Sequence, residues 1–184
     1  MEKKNILVLT GSPRKNGNSD SMAKAFIKGA LSLGHEVVKF ETARKKIGDC
    51  KACKTCWVKG KPCSFQDDFD ELAPLLEAAD VIVFSTPLYW FSFSAYIKAA
   101  IDKMNAYLQE NCKHPLKIKE SLLLVCGADE GIKTFDGIIV TYRQIANYMN
   151  WKDKGILAVP KVREKGDIET TDALVKAENL GKSL

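Results

Sequence analysis

The chain has 184 residues, 46% of them apolar and 28% charged, with a formal net charge of +5. That length suits one domain burying about 70% of its unfolded surface, and the composition excludes disordered and fibrous architectures. The lysines and arginines form no dense run with interleaved aromatics, which speaks against nucleic acid as a partner.

In chain order, Ile6 to Leu9 is a short apolar run that predicts the first strand. It is too short for a leader or a membrane span, so a cytoplasmic protein with no membrane partner is expected. A polar loop from Gly11 to Ser19 leads into a helix with Met22, Phe26, Ala30 and Leu33 at helical spacing, stopped by Gly34. His35 to Phe40 reads as a mixed strand suited to a sheet edge, followed by a basic, cysteine-bearing loop from Glu41 to Gln66. The helix before Asp80 contains Pro74, which places its start near Asp70, among early N–H groups that lack partners.

Val81 to Phe84, Leu122 to Val125 and Ile156 to Val159 are further apolar runs, expected, like the first, to be strands buried on both faces. Between them, Phe93 to Met104 and Ile138 to Met149 carry helical periodicity, while Asn105 to Glu120 is a loop and Thr171 to Leu180 predicts a last helix. Strand and helix alternate throughout. The fold class is therefore α/β, a doubly wound five-stranded parallel sheet with helices on both faces.

In such a sheet, ligands bind beyond the carboxyl ends of the strands. The first of these loops, Thr10-Gly11-Ser12-Pro13-Arg14-Lys15-Asn16-Gly17-Asn18-Ser19, runs straight into a helix. Small residues let backbone N–H groups approach an anion, and the helix N-terminus adds a favourable dipole. The loop lacks Gly-Lys-Ser/Thr and G-x-G-x-x-G, so a terminal monophosphate suits it better than a nucleoside triphosphate or a dinucleotide. The competing reading is a turn that caps a helix.

This loop, with Gly11-Ser12-Pro13-Arg14 followed by Gly17-Asn18-Ser19, resembles that of the NADPH-dependent FMN reductase branch of the flavodoxin-like proteins. The resemblance extends to Ser85-Thr86-Pro87-Leu88-Tyr89-Trp90 and to the helix with Lys98 and Ile101-Asp102-Lys103. It implies a single flavodoxin-like FMN-binding domain over residues 1–184, with Ser12, Arg14, Asn18 and Ser19 on the FMN phosphate. Pro87, Leu88, Tyr89 and Trp90 would lie beside the flavin ring, with Gly127 at its other edge and NAD(P)H as co-substrate. Phe91 and Phe93 are expected in the core or at an interface of a homodimer or homotetramer.

Four of the six cysteines, Cys50, Cys53, Cys56 and Cys63, fall within fourteen positions. A chain without a secretion signal is expected to keep its thiols reduced, which points to metal or redox chemistry. Seven lysines or arginines between Arg44 and Lys61, against Asp49 alone, form a field that favours thiolates. The pattern resembles the compact motif of the iron-sulfur flavoproteins and implies a [4Fe-4S] cluster; zinc and free thiols remain the alternatives. Holding no long apolar run, the loop is expected to depend on such a metal for its order. Cys112 and Cys126 read as small buried hydrophobes, and His35 and His114 as surface residues.

The chain is thus expected to be an FMN-dependent oxidoreductase passing electrons from NAD(P)H to a quinone, another small molecule or a protein acceptor. FMN would do the chemistry, so no catalytic side chain is named. The second expectation is a non-enzymatic electron carrier.

Overall fold

A computed structural model describes residues 2–184. Five strands form the sheet: β1 (Asn5–Thr10), β2 (Glu36–Glu41), β3 (Val81–Pro87), β4 (Glu120–Cys126) and β5 (Lys152–Val159). All pair in parallel, in the order β2-β1-β3-β4-β5. The helices are α1 (Asn18–Ser32), α2 (Phe69–Ala78), α3 (Ala95–Lys103), α4 (Asp136–Tyr148) and α5 (Ala173–Gly181). Among the described residues, no helix is long and apolar enough to cross a membrane.

Alternation along the strands divides the core between the two faces of the sheet. Ile6, Val8, Val81, Val83, Leu122 and Leu124 pack with Met22 and Phe26 of α1 and Ala173 and Ala177 of α5. Leu7, Leu9, Ile82, Phe84, Leu123 and Val125 face the other way, toward Leu72 and Leu76 of α2, Ile97 of α3, and Ile138 and Tyr142 of α4. Helices α1 and α5 approach closely: a Cβ on Gly29 would stand 2.0 Å from the Glu178 carbonyl oxygen.

The expected elements are present, with four differences. β5 is an edge strand and only partly buried, because nothing pairs with its outer side. α2 begins at Phe69, one residue from the expected start, but Pro74 is its sixth residue and so lies beyond the four unpartnered N–H groups. The helix persists because Phe69, Leu72, Ala73 and Leu76 are buried. His35 is buried, at 3% exposure, and accepts the Lys4 backbone N–H on Nδ1 at 3.2 Å. It directly precedes β2, the edge strand, yet is enclosed and not exposed there.

The fourth difference concerns the cysteine loop, which carries a core anchor of its own. Trp57 is buried, donates its Nε1–H to the Ala106 carbonyl at 2.8 Å and packs edge-on against Tyr107. Cys56, Cys63 and Ile47 pack on the same core. The isolated tryptophan escaped a search for apolar runs.

Candidate functional site

The three loops at the carboxyl ends of β1, β3 and β4 converge on one cleft of about 180 Å³. Ser12, Arg14, Asn18, Ser19, Pro87, Leu88, Tyr89 and Gly127 all line it, together with Gly17, Cys126, Ala128, Val162 and Arg163. The sheet order explains the convergence: β1 and β3 are neighbours, and β4 pairs on the far side of β3.

On the phosphate side, α1 starts with Gly17 as its N-cap residue and no side chain capping it. Its first N–H groups are therefore open to an anion. Ser12 Oγ accepts the Arg14 N–H at 3.2 Å, and Gly17 N–H closes the turn on the Arg14 carbonyl at 3.1 Å.

The Asn18 side chain is engaged with backbone far along the chain. Its Nδ2 donates to the Glu164 carbonyl at 2.7 Å, and its Oδ1 accepts the Gly166 N–H at 2.9 Å. Arg14 Nη1 donates to the Arg163 carbonyl at 3.0 Å. Together they tie the phosphate loop to the segment after β5, which becomes a wall of the cleft. Val162 N–H donates to the Gly127 carbonyl at 2.9 Å and Gly127 N–H to the Val159 carbonyl at 3.1 Å, extending the sheet into that wall.

The Gly127 N–H is thus occupied by the sheet. Glycine is needed there for close packing, since a Cβ would stand 3.1 Å from Leu88 Cβ and 3.3 Å from the Phe135 ring. Neighbouring Cys126 has its thiol pushed up to about 12 by burial, so it lines the cleft as a neutral group.

Tyr89 and Ser92 exchange backbone hydrogen bonds around a two-residue turn in which Trp90 and Phe91 both have positive φ, 47° and 60°. Bulky residues in that region store strain, of order 1–3 kcal/mol each. The turn carries Trp90 out of the cleft lining, at 93% exposure. Phe91 is exposed as well, whereas Phe93 is buried in the core.

The second constellation lies between β2 and α2. Cys50, Cys53, Cys56 and Cys63 line one small pocket with Lys51, Lys54 and Lys103. The thiols do not meet at a point: among the described residues no three His, Cys, Asp or Glu side chains are placed to hold a single metal ion. Ala52, Lys54 and Trp57 have φ of 50°, 57° and 63°, left-handed positions that non-glycine residues seldom adopt.

The basic field is less one-sided than the sequence alone implies. Lys51 pairs with Asp49, Lys45 with Glu71, Lys61 with Asp70, and buried Lys103 with Asp67. Cys53 is exposed, and hydrogen bonds from the Thr55 hydroxyl and backbone hold its thiol below the usual range. Burial and the other three cysteines push Cys56 upward. Cys112 is only partly buried, and exposed His114 packs against the Trp57 ring at 5.6 Å.

Residues 4–149 match the family model for NADPH-dependent FMN reductase. The chain belongs to that family. An iron-sulfur flavoprotein of Archaeoglobus fulgidus is 40% identical over 99 residues, 54% of this chain and 44% of that protein. The chain thus matches about half the length of several iron-sulfur flavoproteins, another being that of Methanosarcina thermophila at 32% identity. A Bacillus subtilis protein, named as a candidate NAD(P)H-dependent FMN-containing oxidoreductase, is 24% identical over 96% of both chains. Among solved structures, NAD(P)H:quinone oxidoreductase from Methanothermobacter marburgensis superposes with a TM-score of 0.77 at 18% identity, covering 99% of this chain and 96% of that one. This last likeness establishes the flavodoxin-like fold of an FMN reductase family member.

The wall formed by Val162 and Arg163 escaped the sequence reading. Its only signal was Pro160 ending an apolar run, which does not tell where the chain turns next.

Proposed function

We propose that this chain is an NAD(P)H-dependent, FMN-containing oxidoreductase that passes electrons to a quinone, another small molecule or a protein. The observation that carries the reading is the convergence of three loops on one cleft with an uncapped helix N-terminus at one end and apolar groups at the other. Ser12, Ser19, the first amides of α1 and Arg14 would hold the phosphate, with Asn18 and Arg14 also bracing the opposite wall. Pro87, Leu88, Tyr89, Cys126 and Ala128 would line the ring, excluding water from its inner edge. FMN, when bound, supplies the electron chemistry, and the protein supplies position and electrostatics.

Ser19→Ala is expected to weaken FMN by about 1.5–3 kcal/mol, the worth of a hydrogen bond to a charged group, and riboflavin little, whereas Arg14→Ala, which also frees the wall at Arg163, should weaken both flavins, FMN more than riboflavin. Equal losses for the two flavins would assign these residues to the fold. Stopped-flow mixing with NADPH tests the reductase reading directly; a flavin that stays oxidised sinks it.

The cysteine pocket supports a second centre, a [4Fe-4S] cluster, as the names of the iron-sulfur flavoprotein relatives suggest. Four thiolates that line a pocket without meeting at a point suit a cluster, whose irons are ligated separately, better than tetrahedral zinc. The enclosed space is about 30 Å³, so loading would require exposed Cys50 and Cys53 to swing outward. With a cluster but no reduction by NAD(P)H, the chain would be a non-enzymatic electron carrier. Anaerobic reconstitution with iron and sulfide decides the point: failure to take up sulfide would remove the cluster and leave the simpler reductase. A reducing cytoplasm and a homodimer or homotetramer belong to the same proposal, with exposed Trp90 and Phe91 as candidate interface residues.

A further inference from the structure

Helix α4 is short of charge for a surface helix. Of its 13 residues only Asp136 and Arg143 are charged, and its outward stripe also carries Val140 and Tyr148, at 52% and 77% exposure. Every charge on α1, α3 and α5 is matched inside the chain, as Lys24 with Asp20, Lys98 with Asp102 and Lys176 with Asp172 show. On α4 the opposite holds. Asp136 and Arg143 are both exposed, and neither side chain forms an ion pair or hydrogen bond among the described residues.

Their spacing shows how both can be satisfied at once. Seven residues make two helical turns, about 10.5 Å along the axis, so the two charges share one flank of the stripe but lie too far apart to bridge each other. Val140 stands between them at the centre of the exposed face. A helix with one anion and one cation placed in this way is complementary to itself run backwards. Laid antiparallel across a two-fold axis beside Val140, each Asp136 comes opposite Arg143 of the second copy, and the two Val140 side chains meet between the pairs.

Apolar surface continues from this stripe. A groove of about 220 Å³ between α3 and α4 is lined mainly by Ile101, Met104, Leu108, Ile145, Tyr148 and Met149. The strained turn with exposed Trp90 and Phe91 adjoins the first turn of α4, since a Cβ on Gly137 would stand 2.8 Å from the Phe91 carbonyl oxygen. Aromatic and aliphatic groups with few charges are the composition of an interface centre.

We propose that the exposed face of α4 is a two-fold interface with a second copy of this chain, held by reciprocal Asp136–Arg143 ion pairs around Val140. It rests on the homo-oligomer reading and on none of the flavin chemistry. Charge reversal, read by sedimentation and native mass spectrometry of the purified chain with FMN added, provides the test. Asp136→Arg alone sets arginine against arginine and Arg143→Asp alone sets aspartate against aspartate, so each should weaken self-association at least about tenfold. Mixed together, the two variants should pair with one another about as tightly as the parent does with itself, because both contacts again join opposite charges. The Asp136→Arg/Arg143→Asp double variant should likewise self-associate, and recovery in either form shows that the substituted chains are folded.

A monomeric parent overturns this face and the homo-oligomer reading together. A parent oligomer that both single variants leave intact overturns the face alone. So do single variants that dissociate but recover neither on mixing nor in the double variant.

Discussion

Asn18→Ala separates two jobs that the phosphate loop performs. The Asn18 side chain makes two hydrogen bonds to backbone nearly 150 positions away, to Glu164 at 2.7 Å and from Gly166 at 2.9 Å. At about 1 kcal/mol for each neutral hydrogen bond, the substitution should cost about 2 kcal/mol. In a chain of this size that corresponds to a fall in Tm of roughly 4–8 °C. Release of the wall at Val162 and Arg163 opens the cleft along its whole length, so FMN and riboflavin should weaken together. Thermal unfolding of the apoprotein and fluorescence titration with both flavins provide the measurement. The reasoning is refuted if Tm stays at the parent value while FMN alone loses affinity, because the Asn18 amide would then act on the phosphate.

Trp57→Ala should cost about 3–5 kcal/mol, the range for large aromatic deletions, and release the cysteine loop to proteolysis in metal-free protein; unchanged cleavage would mean that Trp57 does not anchor it. Gly29→Ala must push α5 away from α1, since the new Cβ would overlap the Glu178 carbonyl, and a loss below about 1 kcal/mol in urea unfolding would contradict that close approach. Desolvation first, and then Lys4, hold His35 below its ordinary value of 6.5, so the folded state binds its proton less readily than the unfolded chain. Its contribution to stability is complete above pH 6.5 and is lost as pH falls toward the folded value. An NMR titration placing the His35 midpoint at or above 6.5 would reverse that sign.

Much of the architecture was legible in the order of the residues. Apolar runs such as Val81 to Phe84, and the helical spacing of Met22, Phe26 and Ala30, are codes read over a few positions, and each corresponds to an element of the sheet or its layers. Eight of the nine residues expected at the flavin cleft line it, because the ends of parallel strands bring their loops to one edge. Trp90 is the exception. A sequence names the turn residues but not the hand of the turn, and positive φ at Trp90 and Phe91 directs the indole outward.

Partners distant along the chain were settled by tertiary structure alone. The Asn18 amide serves the segment around Gly166, Trp57 finds the Ala106 carbonyl, and the acidic residues around the start of α2 fold back onto the basic loop. Each depends on which backbone or charge the finished fold brings within about 3 Å, and local spacing carries no record of that. His35 teaches the same lesson: its strand-like neighbourhood said edge, and the chain entering β1 covered it. The sequence alone determined the periodicity of the elements and the chemistry of their loops, while the packed fold determined which of those loop residues line the cleft and which brace its walls.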